Sequence, residues 1–371
     1  MNATLSGNPY AGNPHIRFDV GEVASEKMKH VKMSQLIAAC LLLFAWTVSA
    51  DGGLSYVNPL WKHEVYDASW MRATDGWYYL VSTEREVLKS QDFVHWDLAA
   101  KDFFSSETLA VIHRRWPRIW APKIMDFDGK GDYRIYVAHN SNDLHSAIYV
   151  YRSSRPEGPY GGGWMITCGA ETGIEDTIDP DVVRDPETGK WWLFFGSIGG
   201  DFRLELADNG LSAAPGAKPI HVAGLKRADS LRRWCVYEGS SIVQHGEWWY
   251  YFAGAGEWWT RNYRIVCGRS RSLTGLFVDR EGHPMTQGYA ETVLSSGRDG
   301  KFFSPGHPSE MFVTPSGRTY LFHFCNSSLG WKKGRQPASY FRALVLEEIL
   351  WTADGWPYVK DDRIQEEGVV K

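Results

Sequence analysis

Excess positive charge is the first thing this sequence lacks. Forty Lys and Arg stand against 44 Asp and Glu, a net charge of −4. That excludes the basic face that nucleic-acid binding demands. Cysteine is scarce, five in 371 residues, and the spacing fits no metal-ligand motif. The apolar run Leu36 to Val48 falls short of a membrane span. From Asp51 onward no Pro/Ser-rich linker and no second composition regime appears, so one domain is expected there.

The N-terminus is a separate matter. Met28-Lys29-His30-Val31-Lys32 is basic, the apolar run follows, and Val48-Ser49-Ala50 is a small-residue cleavage site. This reads as a secretory signal peptide preceded by an upstream extension, together residues 1–50. The mature domain then spans 51–371, secreted or periplasmic, with no membrane attachment beyond the signal peptide. Four cysteines remain in it: Cys168, Cys235, Cys267 and Cys325. Export permits pairing, with three connectivities open. The apolar strand contexts of Cys235 and Cys267 favour buried thiols.

What the chain has in quantity is aromatic residues, 14% with 18 Trp. They gather in five strand-like runs opening at Trp77, Tyr133, Trp191, Trp248 and Thr319, at intervals of 56, 58, 57 and 71 residues. Each run follows a turn: Thr74-Asp75-Gly76, Gly129-Lys130-Gly131-Asp132, Glu187-Thr188-Gly189-Lys190, His245-Gly246-Glu247 and Pro315-Ser316-Gly317-Arg318. A fixed period of strand-rich units without helical periodicity predicts an all-β, five-bladed β-propeller.

Ten or twelve residues before each run, where its partner strand opens, stand Asp67, Lys123, Asp179, Glu238 and His307. Innermost strands of a propeller surround the axis. Five ionisable groups would therefore converge at one end of a channel, and a packed core does not gather charge in this way. A pair of carboxylates on facing walls suits glycoside hydrolysis, one as acid to the leaving oxygen and one as base to water. A third carboxylate could raise the acid's pKa by like charge.

The ordered motifs resemble glycoside hydrolase family 43, and within it the endo-1,5-α-L-arabinanases. The resemblance covers about residues 56–360. It rests on Asp67 ahead of Trp77-Tyr78-Tyr79-Leu80-Val81-Ser82-Thr83, on Ser90-Gln91-Asp92-Phe93-Val94-His95-Trp96, and on Trp120-Ala121-Pro122. It continues through Ile178-Asp179-Pro180, Glu238, Gly268-Arg269-Ser270 with Thr274-Gly275 and Val278-Asp279, Ser304-Pro305-Gly306-His307 and Asp354-Gly355-Trp356-Pro357. The resemblance implies Asp67 as catalytic base, Glu238 as general acid and Asp179 as modulator of the acid. It implies inverting cleavage of arabinan, an association of His307 with one channel metal ion (calcium or sodium), and no organic cofactor. Trp120 and His145 are the expected substrate contacts. The expected partner is a plant cell-wall polysaccharide or oligosaccharide met by a monomer, with no nucleic acid.

The sequence also departs from the family. Ala68 follows Asp67 where Pro is usual, and Lys123 follows the Trp-Ala-Pro segment where Asp or His is usual. Glu257-Trp258-Trp259-Thr260-Arg261 replaces an arabinanase Cys-Arg-Gly segment. Two alternatives therefore stand beside endo-arabinanase: an exo-acting arabinofuranosidase or β-xylosidase of the same family, and a glycan-binding propeller without catalysis. Arg184-Asp185-Pro186 is similar to a motif of the fructan-hydrolase propellers, but it lies six residues before its aromatic strand and reads as a turn.

Overall fold

The computed structural model describes residues 52–141, 145–225, 236–296, 301–328 and 341–371, with the side chains of Ser141 and His145 outside that description. All of these belong to the unit Thr47–Lys371. The unit is a five-bladed β-propeller. Among the described residues no helix is long and apolar enough to cross a membrane.

Each blade is an antiparallel sheet that the chain winds outward from the axis. Blade 1 runs Ser69–Arg72, Tyr78–Val81, Val87–Ser90 and Asp97–Ala100. Blade 2 runs Arg118–Asp126, Tyr133–Ser141, His145–Ser153 and Gly161–Cys168. Blade 3 runs Asp181–Arg184, Trp191–Ser197, Gly200–Glu205 and Ile220–Ala223. Blade 4 runs Tyr237–His245, Trp248–Ala255, Arg264–Ser270 and Glu291–Leu294. Blade 5 runs Phe302–Gly306 with Met311–Val313, then Thr319–Ser327, Phe341–Trp351 and Pro357–Tyr358. The strand Leu54–Val57 pairs with Glu367–Val370, which brings the two ends of the unit together.

The unbroken aromatic runs are explained by their second position in each blade, where both faces are covered. Side chains alternate across a strand. Accordingly Tyr251 and Ala253 pack toward blade 3 with Phe194 and Val222. Tyr250 and Phe252, which alternate with them in sequence, pack toward blade 5 with Leu321 and Val345. The same division holds at the other three interfaces. Five apolar clusters thus close a ring. Each fully buried large side chain contributes roughly 1.5–3 kcal/mol.

Cys168, Cys267 and Cys325 are buried free thiols, and Cys235 lies outside the described residues. Asp185 is turn chemistry: its Oδ1 accepts from Glu187 N at 3.0 Å and its Oδ2 from Thr188 Oγ1 at 2.7 Å.

Candidate active site

The site begins with a backbone peculiarity that recurs once per blade. Asp67 (φ 53°), Ala121 (φ 48°), Asp179 (φ 55°), Gly239 (φ 57°) and His307 (φ 49°) all adopt the left-handed conformation. Four of these five carry a Cβ, which makes the conformation cost on the order of 1–2 kcal/mol each. In blades 2 and 4 the register of the inner strand pair breaks at this residue. An extra residue of this kind bends a strand and re-aims its side chains.

Asp67, Asp179, Glu238 and His307 line one cavity of about 420 Å³, together with Trp120, Trp258, Tyr263 and Arg342. His307 Nδ1 lies 3.2 Å from Asp67 Oδ1 and 3.9 Å from Asp179 Oδ2. Thr83 Oγ1 donates to Asp67 Oδ2 at 2.7 Å, and Thr83 Oγ1 itself accepts from Ala121 N at 2.8 Å. Gly239 N donates to Asp179 Oδ2 at 2.9 Å. A Cβ on Gly239 would stand 2.5 Å from His307 Nδ1, so only glycine lets the imidazole sit there. Glu238 is held by both oxygens: Ser197 Oγ donates to Oε2 at 2.7 Å and Tyr263 OH to Oε1 at 2.8 Å.

These contacts separate the three carboxyls. Burial would push Asp67 up, but the His307 cation, its hydrogen bond, Thr83 and Arg342 outweigh it and hold Asp67 below the usual range. Burial raises Glu238, and nearby Asp67 adds to it against the Ser197 and Tyr263 hydrogen bonds. Asp179 is pushed up to about 8 by burial, with Asp67 and Glu238 adding and His307 opposing. His307 is pushed up to about 9: burial opposes its charge, and Asp67 and then Asp179 and Glu238 prevail. The cavity therefore holds a carboxylate kept ionised (Asp67), an imidazolium (His307), a carboxyl that keeps its proton near neutral pH (Asp179) and a second, Glu238, that binds its proton more firmly than usual.

Lys123 is not in this ring. The hairpin of blade 2 is longer, with Asp126 paired to Tyr133, so the counterpart of Asp67 lies twelve residues before Tyr133, at Ala121. Lys123 is two residues further on and belongs to a second layer. Its Nζ lies 2.6 Å from both Asp181 Oδ1 of blade 3 and Glu310 Oε1 of blade 5. Ser69 Oγ donates to Glu310 Oε1 at 2.5 Å, and Ile242 N to Asp181 Oδ2 at 2.8 Å. Lys123 thus ties three blades together and does not face substrate.

Trp120 lines the cavity, with the Arg118 guanidinium 6.0 Å from its ring. His145 opens the strand His145–Ser153, and its side chain lies outside the described residues. Sequence reasoning missed Arg342, whose guanidinium sits between the rings of Tyr66 (4.1 Å) and Trp258 (4.2 Å). It also missed Tyr263 and Ser197. Nothing periodic marks Arg342 or Tyr263, whereas Ser197 stands six residues into its aromatic run, as Thr83 does in blade 1.

The expectation of a channel metal ion rests on His307 alone. Among the described residues no three His, Cys, Asp or Glu side chains are grouped to hold one. His307 Nδ1 is turned to Asp67 and Asp179, the arrangement in which a carboxylate holds one ring nitrogen and Nε2 is the one that would meet an ion. No step below passes through a metal.

Residues 56–357 match the family model described as glycosyl hydrolases family 43. The chain is 26% identical over 320 residues to an extracellular exo-α-(1→5)-L-arabinofuranosidase of Cellvibrio japonicus, covering 81% of this chain and 88% of that one. It is 25% identical over 249 residues to an extracellular endo-α-(1→5)-L-arabinanase of Bacillus subtilis, covering 63% and 73%. A solved α-L-arabinanase of Cellvibrio cellulosa in complex with arabinohexaose shares the fold, with TM-score 0.66, 23% identity and coverage of 81% and 98%.

Proposed function

This chain belongs to glycosyl hydrolases family 43 and is a glycosidase acting on O-glycosyl bonds; from that premise we propose that it cleaves α-1,5-linked L-arabinofuranosyl residues of arabinan, endo-arabinanase-like, by single displacement with inversion. The observation that carries this reading is the convergence of Asp67, Asp179, Glu238 and His307 on one cavity. Glu238, with its raised pKa, protonates the leaving glycosidic oxygen. Asp67, kept ionised by His307, takes a proton from water as that water attacks the anomeric carbon from the opposite face. Asp179 acts on Glu238 from next door: it accepts from the backbone N of Gly239 and adds like charge as pH rises toward about 8. Trp120 offers a ring to stack on sugar, and Trp258 does so from the facing loop, where it is 39% exposed. The basic segment and apolar run before Asp51 and the extracellular relatives support export.

One observation favours exo action as a second reading. Tyr66, Arg342 and Trp258 stack on one another in the cavity lining, and this stack takes up room along the groove. A groove blocked at one end favours exo action, whereas endo cleavage needs one open at both ends.

The test is product analysis on linear arabinan with NMR of the first product formed. The expected result is a mixture of arabino-oligosaccharides whose new reducing ends have inverted configuration. A single short product from the outset would decide for exo action. Retained configuration would overturn the single-displacement mechanism, and hydrolysis of xylo-oligosaccharides but not arabinan would overturn the substrate.

A further inference from the structure

Glu238 has two hydroxyl partners, and one of them is set in place with unusual care. Tyr263 lies between blades 4 and 5, after the turn in which Thr260 O accepts its backbone N–H at 3.1 Å. Its ring occupies a slot made by two missing side chains. A Cβ on Gly306 would stand 1.8 Å from the ring, and one on Gly254 2.2 Å from the hydroxyl. Phe324 stacks on the ring with centroids 6.2 Å apart and planes at 24°. Three side chains anchor the approach to this tyrosine: Asn326 Nδ2 donates to Trp258 O at 3.1 Å, and Ser304 Oγ to Thr260 O and Ser296 Oγ to Arg261 O, both at 2.7 Å. The hydroxyl therefore has little freedom, and it ends 2.8 Å from Glu238 Oε1.

We propose that Tyr263, seconded by Ser197, is a positioning and tuning residue that keeps Glu238 from becoming too weak an acid. This rests on the reading of Glu238 as the acid. The groups facing Glu238 are Asp67 from blade 1, Asp179 and Asp201 from blade 3, Tyr263 from its own blade and His307 from blade 5. Burial and the carboxylates all favour the protonated carboxyl, and His307 opposes them. A carboxyl held protonated too firmly cannot give its proton to a glycosidic oxygen. Two O–H donors stabilise the ionised form that the acid becomes as the bond breaks. With both oxygens accepting, the carboxyl plane is also fixed and the acid proton is directed at substrate.

The direct test is Tyr263→Phe, which keeps the ring in its slot and removes only the hydroxyl. A hydrogen bond to a charged group corresponds to a shift of about one to two pH units. The titration of Glu238 is read by 13C NMR of labelled carboxyls, its signal identified as the one missing from Glu238→Gln. It is expected to move up by that amount, and to move in the same direction in Ser197→Ala. The basic limb of kcat/KM is expected to move up with it, while the acidic limb, set by Asp67, stays. Loss of structure would lower the whole profile and would not displace one limb. An unmoved Glu238 titration in folded Tyr263→Phe overturns the inference. A moved titration with an unmoved basic limb upholds the tuning and overturns the reading of Glu238 as the acid.

Discussion

Replacing Asp67 by Asn is expected to abolish hydrolysis of both arabinan and aryl arabinofuranosides, whereas Glu238→Gln is expected to discriminate between them. Water must be activated whatever the leaving group, and Asn cannot take the proton. The acid matters in proportion to the basicity of the leaving oxygen. Glu238→Gln should therefore lower turnover on unactivated arabinan by roughly 10²–10⁴-fold, and much less on a substrate whose aglycone departs unaided. The pH profile of the wild-type enzyme should agree. Activity appears as pH rises through the depressed pKa of Asp67 and is lost as pH rises through the raised pKa of Glu238. The measurement is kcat/KM on both substrates across pH for the two variants. Glu238→Gln turning over arabinan at the wild-type rate, or an active Asp67→Asn, would sink the assignment.

The second large effect concerns stability. Lys123→Met should destabilise the propeller by roughly 3–5 kcal/mol, since it leaves a buried carboxylate, Asp181, and a partly buried one, Glu310, facing each other without their cation. Lys123 is only 11% exposed in its side chain and Asp181 4%, so water does little to screen the loss. Burial opposes charge on Lys123, yet Asp181 and Glu310 together push its pKa upward, which marks the pair interaction as the dominant effect. Combining Lys123→Met with Asp181→Asn and Glu310→Gln should recover much of the loss. In Asp181→Asn the carbonyl oxygen still accepts from Ile242 N, and in Glu310→Gln it still accepts from Trp70 N while the amide NH2 donates to Ser69 Oγ. Urea unfolding midpoints of the single and triple variants are the readout. A single variant as stable as wild type would show that the second layer does not hold the blades together.

The placement of Lys123 shows where counting along the chain fails. Asp67 and Glu238 lie ten residues before their aromatic strands, and so does Lys123. The count assumes equal turns. Blade 2 has a longer hairpin, so the same count lands two residues past the bend and hence one layer away from the cavity. Asp179 and His307, at twelve, fall on the bend itself. Tyr263 and Ser197 illustrate a different failure. They reach Glu238 from 25 and 41 residues away; Ser197 repeats the place of Thr83 in blade 1, but Tyr263 stands at no position that the repeat marks. A lone Tyr or Ser in a strand-rich sequence is usually packing, and nothing local distinguishes these two.

The sequence by itself determined the five repeats, the two-sided burial of their second strands and the recurrence of carboxylates near the inner ends. Those follow from period and alternation, which are properties of a chain read along its length. The tertiary structure alone decided which side chains meet across blades. Contact between blades depends on which residue of each inner strand takes the left-handed bend, on turn length, and on glycines that leave room for His307 and Tyr263. These are distances between segments far apart in sequence, and no period along the chain encodes them.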